Sequence, residues 1–406
     1  MNRKLSLFLS LMLAFAFVLS ACGPAATQTQ APATQAPATE APTTAATEAP
    51  TTAATEAATE AATQAATEAP AGEADLNALA EESKNEKDGL LIHSIMGENN
   101  WAPVIKAFNE KYPWITVTAL DLGTTETFEK YYTESAGGAR TADMIITSSP
   151  DGWQDFIAKG ELQVYHPANI AGMPDFATLA DGVYAVSTDP MIIIYNKQLV
   201  STPPDTMEAV AAFASDPANA GKITTYDAEK NGTGYGINWF WIAKKGDEGW
   251  KTLETIGKSN VNMQTSAGNM VNAVLTGEAS VGYFVSAISV FPKFPDAEPI
   301  LGYSYQKDGQ VVLVRGMGLT KAAKSTASAK LMMEFILSPE GQIAWAEGGL
   351  TPYRPDVADK AKYHLQKVID AVGEENIIPF YFDPNIASAD KRAEFLAKWK
   401  AAFGRP

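Results

Sequence analysis

Residues 89–120 read GLLIHSIMGENNWAPVIKAFNEKYPWITVTAL, and this stretch decides the fold class. Gly89–Ile95 is a short apolar run suited to a buried strand. Trp101–Tyr112 then places apolar residues at helical spacing until Pro113, which cannot continue a helix. Ile115–Leu120 is β-branched and alternating, the signature of a second strand. Strand, helix and strand within about thirty residues is the unit of a parallel sheet covered by helices.

The same alternation continues in both directions. Thr124–Ser135 reads as a helix and Ala142–Thr147 as a strand. That strand ends at Ser148-Ser149-Pro150-Asp151, a Ser cap with Pro in the first helical turn. Met191–Tyr195 is a five-residue apolar strand, Met207–Ala214 a helix and Lys222–Tyr226 a strand. Asn231-Gly232-Thr233-Gly234 forms a loop entering an aromatic-rich helix. Ser266 caps a helix to Leu275, and Val281–Ser286 and Gln310–Arg315 are extended. Helices are expected over Thr326–Leu337, Pro339–Ala346, Val357–Val372 and Asp390–Phe403. This order predicts an α/β protein of two lobes, with the first at about 87–190 plus 317–406 and the second at about 197–310. The chain would cross between them at 191–196 and 310–316, which would serve as a two-segment hinge. Ligands of open α/β sheets sit beyond the carboxyl ends of the strands, so the cleft between lobes is the expected site.

The N-terminal region has a different composition. Arg3 and Lys4 precede an apolar run from Leu5 to Leu19, then Ser20, Ala21 and Cys22, so 1–21 reads as an export signal. The run is too short to span a bilayer comfortably, which takes roughly 20 residues. Residues 23–72 contain only Gly, Pro, Ala, Thr, Gln and Glu. Without aromatic or branched aliphatic side chains they cannot offset their ordering entropy, so a disordered tether is expected. The chain holds 31 Lys plus Arg against 47 Asp plus Glu, a net charge of −16. Removing the two basic residues of the signal and the five glutamates of the tether leaves −13 on the remainder. This balance opposes a nucleic-acid surface. Cys22, alone in the sequence, excludes an intramolecular disulfide.

Common catalytic signatures are absent: there is no phosphate loop, Gly-x-Ser-x-Gly elbow or His-Glu-x-x-His. His93, His166 and His364 lack metal-ligand spacing, so neither a metal nor a catalytic constellation is predicted. The hydroxyl and amide residues at the helix starts are a different matter. Ser94, Ser148, Ser149, Thr233, Gly234, Ser266 and Asn269 fall where free N–H groups and the positive end of a helix dipole suit an anion. Taken singly, each is also an ordinary capping residue. Arg315, on the second crossing, has the forked donors that pair with carboxylate or phosphate. Tyr195, Tyr235 and Tyr283 could stack on a ligand or simply pack at the cleft edge.

Several segments also resemble a known family. Residues 325–342, STASAKLMMEFILSPEGQ, are similar to a helix pair of the extracellular solute-binding proteins of ABC importers, in the branch that includes ferric-iron, phosphonate, thiamine and sugar-phosphate binders. Ala329, Phe335, Ser338, Glu340, Gly341 and Gln342 fit the family pattern, while Thr326 replaces its usual Pro. Leu90–Tyr112, Ala142-Asp143, Ile194-Tyr195-Asn196, and Thr276-Gly277-Glu278 with Val281-Gly282-Tyr283 also fit. Leu19-Ser20-Ala21-Cys22 resembles the bacterial lipoprotein box, in which the cysteine is lipidated. These resemblances imply a type II periplasmic-binding fold that closes on a solute about a hinge. They imply a monomeric, non-enzymatic receptor, lipid-anchored at Cys22 outside the membrane, which hands its solute to a permease and ATPase. A sensor using the same fold is the alternative role. Ferric binders of the family carry an adjacent tyrosine pair in the second lobe. Here that motif reads Gly282-Tyr283-Phe284, and the pair Tyr131-Tyr132 lies in a first-lobe helix. An organic or phosphorylated anion therefore ranks ahead of iron.

Overall fold

The structure is a computed structural model and describes residues 73–380, 383, 385–386 and 388–406. The expected signal, the Cys22 attachment point and the tether lie outside the described residues. In chain order the strands are β1 (Leu90–Ser94), β2 (Val117–Asp121), β3 (Met144–Thr147), β4 (Leu162–Gln163), β5 (Thr178–Ala180) and β6 (Val183–Asn196). They continue with β7 (Ile223–Tyr226), β8 (Asn262–Gln264), β9 (Val281–Ser286), β10 (Leu301–Ser304), β11 (Gln310–Thr320) and β12 (Ile377–Phe380). Their order across the molecule is β2-β1-β3-β11-β6-β9-β7-β8.

The two ends of that order are parallel sheets and its middle is antiparallel. β1 lies parallel to both β2 and β3, and β7 lies parallel to β8 and β9. All four residues of β3 (Met144, Ile145, Ile146 and Thr147) are buried, as expected where helices cover both faces of a parallel sheet. β11 runs antiparallel to β3, with Gly316 opposite Thr147, and antiparallel to β6, with Arg315 opposite Ser187. β6 then leaves the first sheet and pairs with β9 and β10 in the second. The five-residue strand expected at 191–195 is thus the far end of a strand of 14 residues. Residues 191–196, expected as hinge, pair with β9 and β10, and the strand changes sheets between Pro190, paired with β11, and Met191, paired with β9.

Each sheet has its own core. In the first, the helices Glu98–Lys111, Thr326–Leu337 and Pro339–Glu347 bring Trp101, Phe108, Phe335 and Trp345 together. Trp101 and Trp345 meet edge to face with centroids 4.9 Å apart. The second core gathers Trp241, Tyr283, Phe284 and Phe291. Complete burial of such side chains stabilises by about 1.5–3 kcal/mol each.

The C-terminal segment departs from expectation. Residues 317–406, expected whole in the first lobe, are divided between the two cores. Ala329–Leu350 joins the first core, whereas Tyr363, Phe380, Phe395, Trp399 and Phe403 pack in the second. The apolar stripe of the helix Ala389–Ala402 is legible in sequence, but which core receives it is not. The helix expected over Val357–Val372 is also shorter, running from Leu365 to Val372 behind a His364 cap.

The quoted C-terminal motif has a packing explanation. Ser338 Oγ accepts the Gly341 N–H at 3.1 Å, and Pro339 occupies the first turn, so the helix start is fixed. A Cβ on Gly341 would lie 1.8 Å from the Phe335 carbonyl oxygen, which leaves no other residue room. Buried Gln342 donates to the carbonyls of Val186 on β6 and Ile336, and accepts from Tyr353 N–H. The Glu-Gly-Gln sequence therefore pins a helix corner to the crossing strand.

Candidate functional site

A cleft of about 890 Å³ opens at the carboxyl ends of the strands, with walls from both sheets. The first lobe contributes the turn before the helix Glu98–Lys111, the loop after β2, and Ser148 after β3. The second contributes Tyr226 at the end of β7, Asn231 and Thr233, Ser266, and Ser286 at the end of β9. Leu313 and Arg315 of β11 also line the cleft.

Arg315 is 4% exposed and Asp189, on β6, is 1% exposed. Arg315 Nη2 donates to Asp189 Oδ2 at 2.6 Å. Asp189 also accepts the Ser286 hydroxyl and the Ile288 N–H. Arg315 Nε and Nη1 are buried without a hydrogen-bond partner. Ser148 Oγ, in the same cleft, is likewise buried and unpartnered. A buried donor left unmade costs roughly 1–3 kcal/mol, more when charged. Such donors facing one cleft suit an acceptor arriving from solution. Helix starts reinforce this polarity: Asn231 Oδ1 caps Gly234 N–H at 2.7 Å, and Ser266 Oγ caps Asn269 N–H at 3.2 Å.

The residues singled out by sequence divide into groups. Ser148, Thr233, Ser266 and Arg315 come together on the cleft. Ser149 lies beside it, in a side crevice with Tyr235 and Arg392, and caps its helix through Gly152 N–H. Ser94 is buried behind the wall, accepting from Met96 N–H and Trp101 Nε1. Gly234 is needed for close approach, since a Cβ there would lie 2.6 Å from the Tyr226 Cβ. Asn269 is exposed outside the cleft lining. Tyr195 covers Gly302 of β10, where an added Cβ would meet its ring at 2.2 Å. Tyr283 is fully buried in the second core. Tyr195 and Tyr283 therefore pack, while Ser148, Thr233, Ser266 and Arg315 line the cleft.

Tyr226, Asp189, Ser286 and the cleft-edge carboxylate of Asp121 carried no local signal. They meet only because β7, β6, β9 and β2 lie in two sheets that open toward the same gap. Burial, with the nearby Asp189 charge, pushes the Tyr226 phenol well above its ordinary value. Burial does the same to Tyr283. Partial desolvation at the cleft edge raises the Asp121 carboxyl. Among the described residues, no group of three or more His, Cys, Asp or Glu is placed to hold a metal ion.

The architecture is shared with solved substrate-binding proteins. The substrate-binding protein of an ABC transporter from Agrobacterium tumefaciens superposes with a TM-score of 0.70 at 23% identity, over 79% of this chain and 96% of that one. The periplasmic binding protein AfuA from Actinobacillus pleuropneumoniae, with fructose-6-phosphate bound, gives 0.62 at 20% identity, over 78% and 98%. Iron-bound HitA from Pseudomonas aeruginosa gives 0.60 at 19%, over 77% and 99%. At these identities the likeness is one of fold, and that fold is the type II periplasmic-binding arrangement expected above. A comparison with curated proteins returned no match. Residues 103–368, more than half of the sequence, match the bacterial extracellular solute-binding protein family, and this chain belongs to it.

Proposed function

We propose that the chain is the substrate-binding component of an ABC importer and captures a small organic or phosphorylated anion between its lobes. One observation carries the reading: Arg315, a buried cation on β11 beside the crossing strand β6, faces the cleft with Nε and Nη1 unpartnered. Ser148 and the capped helix starts supply further donors around it. The crossings on β6 and β11 act as the hinge, and closure completes the anion's hydrogen bonds. The monomeric receptor is tethered outside the membrane through lipid on Cys22 and delivers its solute to a permease. Iron ranks lower because Fe(III) favours phenolate. Among the described lining residues Tyr226 is the tyrosine, and burial raises its phenol above the ordinary value.

A thermal-shift screen of carboxylates, phosphonates, sugar phosphates, thiamine, neutral sugars and Fe(III) tests this reading. A ligand at 100 times its Kd should add about 2.7 kcal/mol of stability. Arg315→Lys, which keeps a cation beside Asp189, should weaken the best anion at least about tenfold. Stabilisation by Fe(III) alone, or unchanged affinity in Arg315→Lys, would sink the proposal. Fatty-acid labelling that persists in Cys22→Ala would remove the anchor.

A further inference from the structure

The charges around the cleft do not add up to a simple anion site. Asp189 already matches the Arg315 charge, so that pair is neutral as a unit. The remaining charged residues on the lining are Glu98, Asp121 and Glu347 against Lys293. None of these four has an ion-pair partner among the described residues. Asp121 comes from the end of β2 and stands against the start of the helix Glu98–Lys111. A Cβ on Gly97 would lie 3.3 Å from its Oδ2. Glu98 opens that helix, so the two carboxylates share one corner of the first-lobe wall. A bare anion drawn to Arg315 and Ser148 would bring its charge into a cleft with an excess of carboxylates. At separations of a few ångströms each such pair is repulsive, by about 1 kcal/mol even in water at 4 Å.

We propose that the solute is a small zwitterion, with its anionic group on Arg315 and Ser148 and a cationic nitrogen on the Asp121–Glu98 corner. This inference rests on the anion reading above and names the ligand class within it. Two independent observations meet here. Buried, unpartnered donors call for an acceptor, and unpartnered carboxylates on the same cleft call for a cation. Discrimination follows from both: an amine-free acid meets repulsion at Asp121, and a simple amine leaves the Arg315 donors unmade.

Calorimetric titration of the full chain with matched probes tests the assignment. The pairs are propionate with β-alanine, and ethyl phosphate with phosphoethanolamine, so that each differs only by the amine. At least one amine-bearing member should bind tenfold or more tightly than its partner. Asp121→Asn with Glu98→Gln, both at the exposed edge, should erase that preference by weakening the amine-bearing member and strengthening the amine-free one. Equal or tighter binding of the amine-free acids, no binding by either amine-bearing member, or a preference that survives the double substitution would overturn the zwitterion. If amine-free acids bind and lose affinity in Arg315→Lys, the anion reading stands and only the zwitterion falls. Binding by Fe(III) or neutral sugars alone would remove both.

Discussion

Asp143 and Asp189 are both buried aspartates joined to an arginine, and their surroundings differ in one respect. Asp143 accepts from Leu91, Lys324 and Ser325 N–H as well as from Arg140. Its arginine is used up too, since Arg140 also donates to the carbonyls of Gly89 and Thr141. Asp189 is similarly saturated, but Arg315 is not: Nε and Nη1 remain unpartnered. The first pair ties β1 to the start of the helix Thr326–Leu337 and is not among the described residues lining the interlobe cleft. The second stands where the two sheets meet and faces it. A buried charge with every bond made serves stability, whereas one with bonds left open marks a place for a ligand.

Substitution should separate the two most sharply at the aspartates themselves. Asp143→Ala removes the acceptor for several buried donors and should cost roughly 3–5 kcal/mol in denaturant titration. Solute affinity, measured well below the transition, should not change. Asp189→Asn should also destabilise, by about 2 kcal/mol, since it leaves Arg315 without its counter-ion. Here, however, affinity for an anion should rise, because the cation no longer shares its charge. If both variants move affinity in the same direction, the distinction between the pairs fails.

Mild acid probes the same contrast. Burial lowers the His93 pKa below its ordinary 6.5, and His93 lies on β1 two residues beyond Leu91, whose N–H Asp143 accepts. Its folded form therefore stays neutral while the unfolded chain takes up a proton. That contribution is complete above about pH 6.5 and is lost as pH falls toward the lowered folded value. His364, also lowered by burial, acts in the same sense. Stability should decline below pH 6.5 and His93→Gln should flatten the decline, whereas no histidine is among the described residues lining the cleft. A flat stability profile between pH 7 and 5 would contradict this.

The smallest effects come from two adjacent serines. Ser149→Ala loses a helix cap and should cost about 1 kcal/mol with little change in affinity. Ser148→Ala removes a hydroxyl that has no partner in the protein, so stability should stay within about 0.5 kcal/mol. Solute affinity should fall several-fold. Reversed outcomes would exchange the roles of cap and ligand donor.

Those serines also show what sequence could and could not disclose. A cap is a local device, so the helix starts at Ser149 and Ser266 are readable from neighbouring residues, whereas Asn231-Gly232-Thr233-Gly234, expected as a loop, already holds the first turn of its helix. Strand β6 was read only at its apolar end, because Ser187-Thr188-Asp189-Pro190 looks like a loop. Two of its polar side chains find partners far along the chain, Thr188 in the Thr351 carbonyl and Asp189 in Arg315 and Ser286. Tyr195 and Tyr283 were candidates for the site on chemistry alone, and register turns them into the packing of the second sheet. Arg315 was legible as a cation on a crossing strand, whereas Tyr226 and Ser286 become neighbours of the cleft only through pairing across the sheets. The resemblance of residues 325–342 located the family but spoke for a helix corner, not for the ligand.

Synthesis from the N-terminus delivers β1, β2 and β3 long before the strand that closes on them. Thr147 must wait for Gly316, by which time the strands of the other sheet have also emerged. Until then β3 presents an open edge, the kind that templates pairing with other chains. Distant pairing also makes folding slow. A nascent chain that ends before Gln310 cannot complete the first sheet, because β11 pairs there with β3, β6 and β12, whereas β6 to β10 already hold the pairings of the second. The second sheet can therefore assemble while the first still waits, so the lobe that begins the chain is the later of the two to close.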